Sequence, residues 1–158
     1  MKILVDADVL LIDHRYPQDP KHPRNREILN RLRQDGHDIS ITVQALLEVV
    51  GVLSYTTPIA DIAGLPDLIL LNYGLKLIPD PQVYPDYAAV TFADIVTQMG
   101  SQMSLGDAVQ AVQIRMFAPQ ADALMTWNAK HFKGKLAIPV LTPEEWLKLQ
   151  PPPNAPTP

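Results

Sequence analysis

The sequence contains no cysteine among its 158 residues. Without thiols the chain can form neither a disulfide framework nor a thiolate metal site, so a bound metal must use oxygen or imidazole ligands. Long apolar runs are also missing, because none approaches the roughly 18 residues that a bilayer-spanning helix needs. Met1 leads directly into a strand-like segment rather than a signal peptide. We therefore expect a cytoplasmic protein that does not bind a membrane.

An excess of positive charge is absent as well. The chain has 13 Lys and Arg residues against 17 Asp and Glu residues, which gives a net charge of −4. It therefore lacks the global attraction to nucleic acid that basic binding proteins show. An RNA substrate would have to be held by local contacts.

Glycine is scarce and proline is abundant, with 7 Gly against 16 Pro. Five of the prolines fall in the last eight residues, a composition that cannot join a packed element. We expect one domain over residues 1–149, followed by a proline-rich disordered tail over residues 150–158. The length suits a single domain, for which ~100 to 200 residues is usual.

Apolar periodicity predicts strands that alternate with helices. Such alternation favours a three-layer α/β fold with a mainly parallel sheet and right-handed crossovers. The predicted strands cover residues 3–5, 39–41, 75–78, 123–126 and 138–141. The predicted helices cover residues 24–34, 67–73, 87–99 and 104–117, with another that follows Thr42 as its N-cap and a last one that starts at Pro143.

Polar residues follow two of the predicted strands. Asp6 stands at the end of the first strand, and Asn128 comes just past the strand that ends at Thr126. In parallel sheets, ligands collect beyond the carboxyl ends of the strands. Both side chains are therefore expected to reach one crevice.

Each acidic candidate also has an ordinary structural interpretation. Asp6 and Asp8 fit turn and helix-capping roles, because Asp is favoured at N-caps. Glu48 shares a narrow polar sector with Gln44 and Gly51 on an otherwise apolar helix, which is also typical of a solvated stripe. Spacing alone leaves both interpretations open.

Asp107 and His131 are similarly ambiguous. The segment 104–107, Ser-Leu-Gly-Asp, resembles a capping box, and the helix dipole favours an acid in a first turn. A carboxylate in a first turn can also face a metal. His131 has Lys130 and Lys133 close by in sequence, which is more typical of a solvated surface residue than of a catalytic one.

Four segments, taken in order, resemble successive motifs of PIN domains, most closely the toxin half of VapBC-type toxin–antitoxin pairs. No single motif is specific, but the ordered set is, and the resemblance extends to about residue 149. It implies an α/β/α sandwich with a five-stranded, largely parallel sheet. It also implies Mg²⁺- or Mn²⁺-dependent endoribonuclease activity, a small antitoxin partner and a homodimer. The segments are residues 5–11, 43–50, 104–108 and 126–132.

The resemblance carries over residue by residue to a predicted site. Asp6, Glu48 and Asp107 match the three principal acids of the family and are the expected metal ligands. Many relatives place a fourth acid at position 128, where this chain has Asn128, and Thr126 matches the family's hydroxyl two residues before it. These five residues are the expected catalytic set. Position 128 is where this chain departs from the family pattern.

The chemistry of clustered acids agrees with that implication. Neighbouring carboxylates raise each other's pKa, and a divalent cation removes that cost. Bound Mg²⁺ can activate a water for attack on a phosphodiester and stabilise the charge that develops. The basic residues nearest in sequence could hold an RNA backbone, although ordinary solvated charge explains them equally well. They are Arg115, Lys130, Lys133 and Lys135.

The remaining expectations concern a partner and two rival functions. The resemblance implies an antitoxin that inserts an Arg or Lys against the carboxylates, and the apolar, proline-broken stretch 58–71 is a candidate docking surface. One rival is a catalytically inert PIN fold that acts as a binding module, for which Asn128 is the only hint. The other is a phosphatase like the haloacid dehalogenases, but that family wants Thr or Val where Leu10 stands and a later acid pair that residues 106–111 lack.

Overall fold

The computed structural model describes residues 1–84 and 90–149. The predicted tail over 150–158 and the first residues of the predicted helix 87–99 lie outside the described residues. The strands are β1 (Lys2–Val5), β2 (Asp38–Thr42), β3 (Lys76–Ile78), β4 (Ala123–Met125) and β5 (Val140–Leu141). The helices are α1 (Ala7–His14), α2 (His22–Gln34), α3 (Val43–Ser54), α4 (Leu65–Tyr73), α5 (Phe92–Met99), α6 (Leu105–Phe117) and α7 (Pro143–Leu149), with short 3-10 segments at Ile59–Gly64 and Ala129–His131.

The five strands form one sheet in the order β3-β2-β1-β4-β5. All four pairings are parallel, which confirms the expected five-stranded, mainly parallel sheet. The described strands consequently all end at the same edge of the sheet, here called the carboxyl edge. Side chains that follow β1 and β4 are thereby brought side by side.

Helices cover both faces of this sheet, as a three-layer sandwich requires. Successive strand residues point to opposite faces. Ile3 and Val5 of β1 therefore join one hydrophobic core with Ile28 of α2. Leu4 joins a second core with Ile114 of α6. The predicted α/β/α architecture is confirmed.

Helix α1 has no counterpart among the predicted elements. It begins directly after β1 and buries Val9, Leu10, Leu11 and Ile12 in succession. A helix that is covered on nearly all sides lacks the amphipathic spacing by which surface helices are recognised. The periodicity that identified the other helices was therefore missing here.

The predicted start of a helix is confirmed where a capping side chain marks it in the sequence. Thr42 accepts a hydrogen bond from the backbone N–H of Ala45 and caps α3. The prediction for α5 is wrong at its start, because Thr91 caps a helix that begins only at Phe92. Within the described ranges, no helix combines the length and the apolar character that a membrane span demands.

Candidate metal centre

Asp6 occupies the junction between β1 and α1, and it serves both as a helix cap and as part of the crevice. Its Oδ1 accepts hydrogen bonds from the Ala7 backbone N–H at 2.8 Å and from Gln110 Nε2 at 3.2 Å. Its Oδ2 accepts one from Thr126 Oγ1 at 2.7 Å. The side chain is buried, so these three bonds hold it in one orientation. The capping interpretation of Asp6 is therefore confirmed, and its role as a metal ligand stays a prediction.

Asp8, two residues on in the first turn of α1, ties that helix to the loop after β4. Its Oδ2 accepts hydrogen bonds from the backbone N–H groups of Trp127 at 3.0 Å and Asn128 at 3.1 Å. Thr126 Oγ1 lies 3.1 Å from the same oxygen. The other oxygen, Oδ1, is buried and has no hydrogen-bond partner in the described part of the chain. Asp8 thus does not cap α1, as its position had suggested, but holds the loop after β4.

Glu48 lies on α3, and Asp107 lies in the first turn of α6. The Glu48 side chain is exposed, and within residues 1–84 and 90–149 it makes no hydrogen bond or ion pair. The Asp107 backbone N–H donates to Ser104 Oγ at 3.2 Å, which confirms Ser104 as the cap. The Asp107 carboxylate is directed elsewhere, with Oδ2 3.2 Å from His131 Nδ1. His131 is therefore a neighbour of the predicted site, although it is largely exposed.

The three predicted acids act on one another electrostatically. Burial raises the pKa of Asp6, and the charge of Asp107 adds to this, against the lowering effect of the hydrogen bonds that Asp6 accepts. Surrounding protein atoms desolvate part of the otherwise exposed Glu48 side chain and raise its pKa, and the charges of Asp6 and Asp107 raise it further. Every pair among the three acids thus contributes. The three predicted acids therefore lie near enough for each to feel the charge of another.

Asp8 belongs to the same group. Burial and the charge of Asp6 raise the pKa of Asp8 to about 7, against the hydrogen bonds from Trp127, Thr126 and Asn128. We call these four carboxylates, Asp6, Asp8, Glu48 and Asp107, the acid cluster. Asp6, Asp8 and Glu48 each have a raised pKa, so these three carboxylates are harder to ionise here than in water.

The acid cluster fits a hard divalent cation in its chemistry. Carboxylate oxygens are the ligands that Mg²⁺ and Mn²⁺ prefer. The described residues nevertheless contain no group of three or more His, Asp or Glu side chains close enough together to share an ion. Asp6 is fixed by its three hydrogen bonds, whereas the Glu48 side chain is not held by any in the described ranges. Coordination by all three acids therefore stays a prediction, and it requires the more exposed side chains to rotate towards Asp6.

The loop after β4 places the two remaining predicted residues. Thr126 is buried, and its hydroxyl oxygen contacts Asp6 and Asp8 while accepting a hydrogen bond from the Asn128 backbone N–H at 3.0 Å. The Asn128 side chain is exposed and is free of hydrogen bonds to other described residues. Its amide is consequently available to a ligand at this edge.

Sequence reasoning missed three residues that support the site. Gln110 is buried one turn after Asp107 on α6, so the helical spacing could have identified it. Asn25 is fully buried, donates to the Val9 carbonyl oxygen at 2.8 Å and accepts from Trp127 Nε1 at 2.8 Å. No local signal reveals this pair, because the two partners are 102 positions apart.

Most of the basic residues proposed from sequence are already engaged. Arg115 pairs with an aspartate at 3.0 Å, and Lys133 pairs with a glutamate at 2.6 Å. Lys135 Nζ donates to a backbone carbonyl at 3.0 Å. Lys130 is exposed and forms no ion pair inside the described ranges. It is therefore the freest of the four to meet a phosphate.

The stretch 58–71 presents apolar side chains to solvent. Ile59 is 89% exposed, Leu71 is 80% exposed and Leu68 is 50% exposed. These exposed fractions are high for large apolar residues on neighbouring elements. The use of the stretch as a docking surface stays a prediction.

No protein-family model and no curated protein sequence matches this chain. Solved structures do resemble it. One is FitAcB from Neisseria gonorrhoeae, at a TM-score of 0.57 and 16% identity over 90% of this chain and 98% of that chain. Another is VapBC2 from Rickettsia felis, in a structure with a DNA fragment from its promoter. It matches at a TM-score of 0.56 and 16% identity over 90% of this chain and 98% of that chain.

A third similar structure is VapBC-1 from nontypeable Haemophilus influenzae, at a TM-score of 0.55 and 12% identity over 91% of this chain and 99% of that chain. At such identities the likeness concerns the fold alone. It covers nearly the whole length of each chain, and it agrees with the parallel five-stranded sheet and its two helical layers. The chain therefore has a PIN-like α/β/α fold, which it shares with chains of these VapBC and FitAcB structures.

Proposed function

We propose that this protein is a metal-dependent endoribonuclease and the toxin component of a type II toxin–antitoxin system. The observation that carries the proposal is the acid cluster at the carboxyl edge, in which buried Asp6 lies within the field of Asp107 and both raise the pKa of Glu48. The fold supports it, since similar chains occur in VapBC and FitAB structures.

Asp6, Glu48 and Asp107 would hold the Mg²⁺ or Mn²⁺ ion. Such an ion supplies an activated water and stabilises charge on the phosphodiester, so that hydrolysis leaves a 3'-hydroxyl and a 5'-phosphate. The Thr126 hydroxyl keeps the Asp6 carboxylate in place through its 2.7 Å hydrogen bond. The exposed Asn128 amide is positioned to donate a hydrogen bond to a phosphate oxygen or accept one from a water.

An RNA cleavage assay tests the enzymatic part. We expect cleavage by the purified chain in Mg²⁺ or Mn²⁺ and none in excess chelator. Asp6→Asn, Glu48→Gln and Asp107→Asn should each reduce the rate on the order of 100-fold or more, because loss of supporting groups around a metal alone costs ~10 to 100-fold. Cleavage that survives chelation, or that persists in Asp6→Asn, would show that these acids do not carry the reaction.

The toxin part implies a small antitoxin that covers the acid cluster. We propose that it inserts an Arg or Lys against the carboxylates and packs apolar side chains on the stretch 58–71, where Ile59 and Leu71 are exposed. Expression of the chain should arrest growth, and co-expression of the neighbouring small open reading frame should relieve the arrest. Harmless expression of the folded wild-type chain would contradict the toxin assignment.

A homodimer is also part of the proposal. Helix α5 leaves Phe92 83% exposed, Val96 49% exposed and Met99 41% exposed, at the i, i+4, i+7 spacing of one helical face. A second copy of the chain would cover this stripe. Light scattering on the purified protein should give twice the chain mass, and Phe92→Asp should shift it towards the monomer. A monomeric wild type at high concentration would exclude the dimer.

The second candidate is an inert PIN fold that binds nucleic acid without cleaving it. Two observations favour it, namely the absence of a formed three-ligand group in the described residues and the neutral Asn128. Metal-dependent cleavage by the wild type would exclude this candidate.

A further inference from the structure

We propose that Trp127 and Lys21 form a binding subsite for one nucleotide of a single-stranded RNA, beside the acid cluster. In this subsite the indole ring stacks on a base, and the ammonium group pairs with an adjacent phosphate. The inference rests on the proposed function and assigns a place beside the cleavage site where the substrate strand is held.

The position of Trp127 is the first argument. Its backbone N–H donates a hydrogen bond to Asp8 Oδ2 at 3.0 Å. Its neighbours in the chain are Asn128 and Thr126, and the Thr126 hydroxyl donates a hydrogen bond to Asp6. Trp127 is therefore itself part of the loop that carries the predicted catalytic residues Thr126 and Asn128. A nucleotide stacked on this ring would be next to the one whose phosphate faces the acid cluster.

The orientation of the ring is the second argument. The indole N–H donates to Asn25 Oδ1 at 2.8 Å, and the Asn25 amide is itself fixed by a 2.8 Å bond to the Val9 carbonyl oxygen. Asn25 is fully buried, so the polar edge of the indole is held from inside. Part of the ring packs on the hydrophobic core that contains Ile28, while the side chain stays partly exposed. A ring held by its edge presents a flat apolar surface without further ordering cost.

Lys21 supplies the third argument. Its Nζ lies over the Trp127 ring, 5.2 Å from the centroid, and in the described part of the chain this ammonium has no carboxylate partner. Lys21 directly precedes α2. The last residue of this helix lies shortly before the start of β2, at the amino edge of the sheet. The first turn of α2 therefore stands at the carboxyl edge. The cation therefore lies beside the site, and only a weak contact with the ring holds it there. A base can displace it from the ring without breaking an ion pair.

An aromatic surface next to an unpaired cation is the combination by which proteins bind single-stranded nucleic acid without reading its sequence. A chain with a net charge of −4 needs such a local contact, because its overall field repels RNA. The other tryptophan, Trp146, is fully buried and packs its ring edge against His37, so it cannot serve. Trp127 is consequently also the residue whose fluorescence a stacked base would quench.

The test measures binding of a short single-stranded oligoadenylate in Mg²⁺ to the chain in an Asp6→Asn background, which is expected not to cleave. Binding should quench the Trp127 fluorescence. Trp127→Ala should weaken binding about tenfold or more, whereas Trp127→Phe, which keeps a ring, should retain most of the affinity. Lys21→Gln should lower the slope of log affinity against log salt by about 0.7, the value for one phosphate contact on a single strand.

Two matched controls isolate the subsite. Lys2→Gln removes the same charge at the amino end of β1, the opposite edge of the sheet, and should leave the salt slope unchanged. An abasic oligomer of the same length should bind the parent and Trp127→Ala equally, since only stacking distinguishes them.

Several outcomes would overturn the subsite. The first two are no binding of the oligoadenylate and binding without a change in fluorescence. The others are equal affinity of the parent and Trp127→Ala for oligoadenylate, and an equal effect of Lys21→Gln and Lys2→Gln on the salt slope. If the wild type cleaves RNA while these variants behave alike, the subsite fails and the proposed function stands. If the wild type does not cleave but the binding differences appear, the enzymatic proposal fails and the subsite stands.

Discussion

The hydroxyl of Thr126 donates a 2.7 Å hydrogen bond to Oδ2 of Asp6. The two residues follow β4 and β1, which pair directly in the sheet, so the bond joins the carboxyl ends of adjacent strands. Both side chains are buried. The bond lowers the pKa of Asp6 against the larger effect of burial, and in this way it helps to keep a metal-binding carboxylate ionised.

Thr126→Val is therefore expected to weaken cleavage through Asp6. The pKa of Asp6 should rise further, so the rise of activity with pH should move to higher pH. Stability should fall by about 1 to 3 kcal/mol, because a buried carboxylate oxygen loses a partner. Thr126→Ser keeps the hydroxyl and should resemble the wild type. A pH–rate profile compares them, and coincident profiles for Val and Ser would show that the hydroxyl does not act on Asp6.

Stability of the metal-free protein should depend on pH through Asp8. Its pKa is about 7 in the folded chain, whereas an unfolded Asp loses its proton near pH ~4. Between these values the folded state binds the extra proton, so stability falls as the pH rises through this window. The melting temperature in chelator should thus be higher at pH 5.5 than at pH 8.

Two comparisons check the cause. Asp8→Asn should narrow the difference in melting temperature between the two pH values. Added Mg²⁺ should raise the melting temperature more at pH 8 than at pH 5.5, because a cation binds the ionised cluster of the folded chain. A metal-free chain that is more stable at pH 8 than at pH 5.5 would contradict the raised pKa of Asp8.

His131 and Asp107 should differ sharply in their importance to cleavage. Their side chains lie 3.2 Å apart, but the His131 side chain is 45% exposed and Asp107 22% exposed. His131→Ala removes an exposed partner and should slow cleavage less than about tenfold, since exposed ion pairs contribute little. Asp107→Asn should cost on the order of 100-fold or more, as expected for a ligand rather than a support. Equal losses in single-turnover assays would place His131 in the reaction itself.

The sequence allowed the sheet and several helix starts to be predicted because both depend on local signals, whereas the acids were assigned through the resemblance to PIN domains. Apolar runs that stop at Asp6 and Thr126 mark strand ends, and Thr42 and Ser104 mark helix starts through hydrogen bonds to nearby backbone N–H groups. Helix α1 escaped prediction because its four consecutive buried residues remove the amphipathic pattern.

The contacts that complete the site could not be predicted, because they join residues far apart in sequence. Asp8 reaches the Trp127 backbone across 119 positions, and the Trp127 indole reaches Asn25 across 102 positions. The general preference for Asp at the start of a helix already accounts for Asp8, so its sequence neighbours do not indicate a contact with a distant loop. Only the folded chain shows that the Asp8 side chain, in the first turn of α1, holds the loop that carries Asn128.

Asn128 stands at the position where the resemblance to PIN domains implies an acid. Its backbone N–H is held by Asp8 Oδ2 at 3.1 Å and by Thr126 Oγ1 at 3.0 Å, while its side chain is exposed. A neutral amide offers one carbonyl oxygen in place of a carboxylate, so the site has one negative charge less to offset a second cation. We expect one well-held ion rather than a pair ~3.5 to 4 Å apart.

Calorimetric titration of Mn²⁺ at one ionic strength tests this expectation with two substitutions. Asn128→Asp should tighten Mn²⁺ binding because it restores the charge, and Asn128→Ala should slow cleavage far less than Asp6→Ala does. Both variants should fold normally, because the backbone N–H of position 128, which Asp8 holds, survives either change. Two tightly bound ions per wild-type chain, or an unchanged affinity in Asn128→Asp, would mean that another acid supplies the missing charge. Asp8 is the first suspect, because its buried Oδ1 has no partner among the described residues and its pKa of about 7 leaves it able to ionise beside a cation.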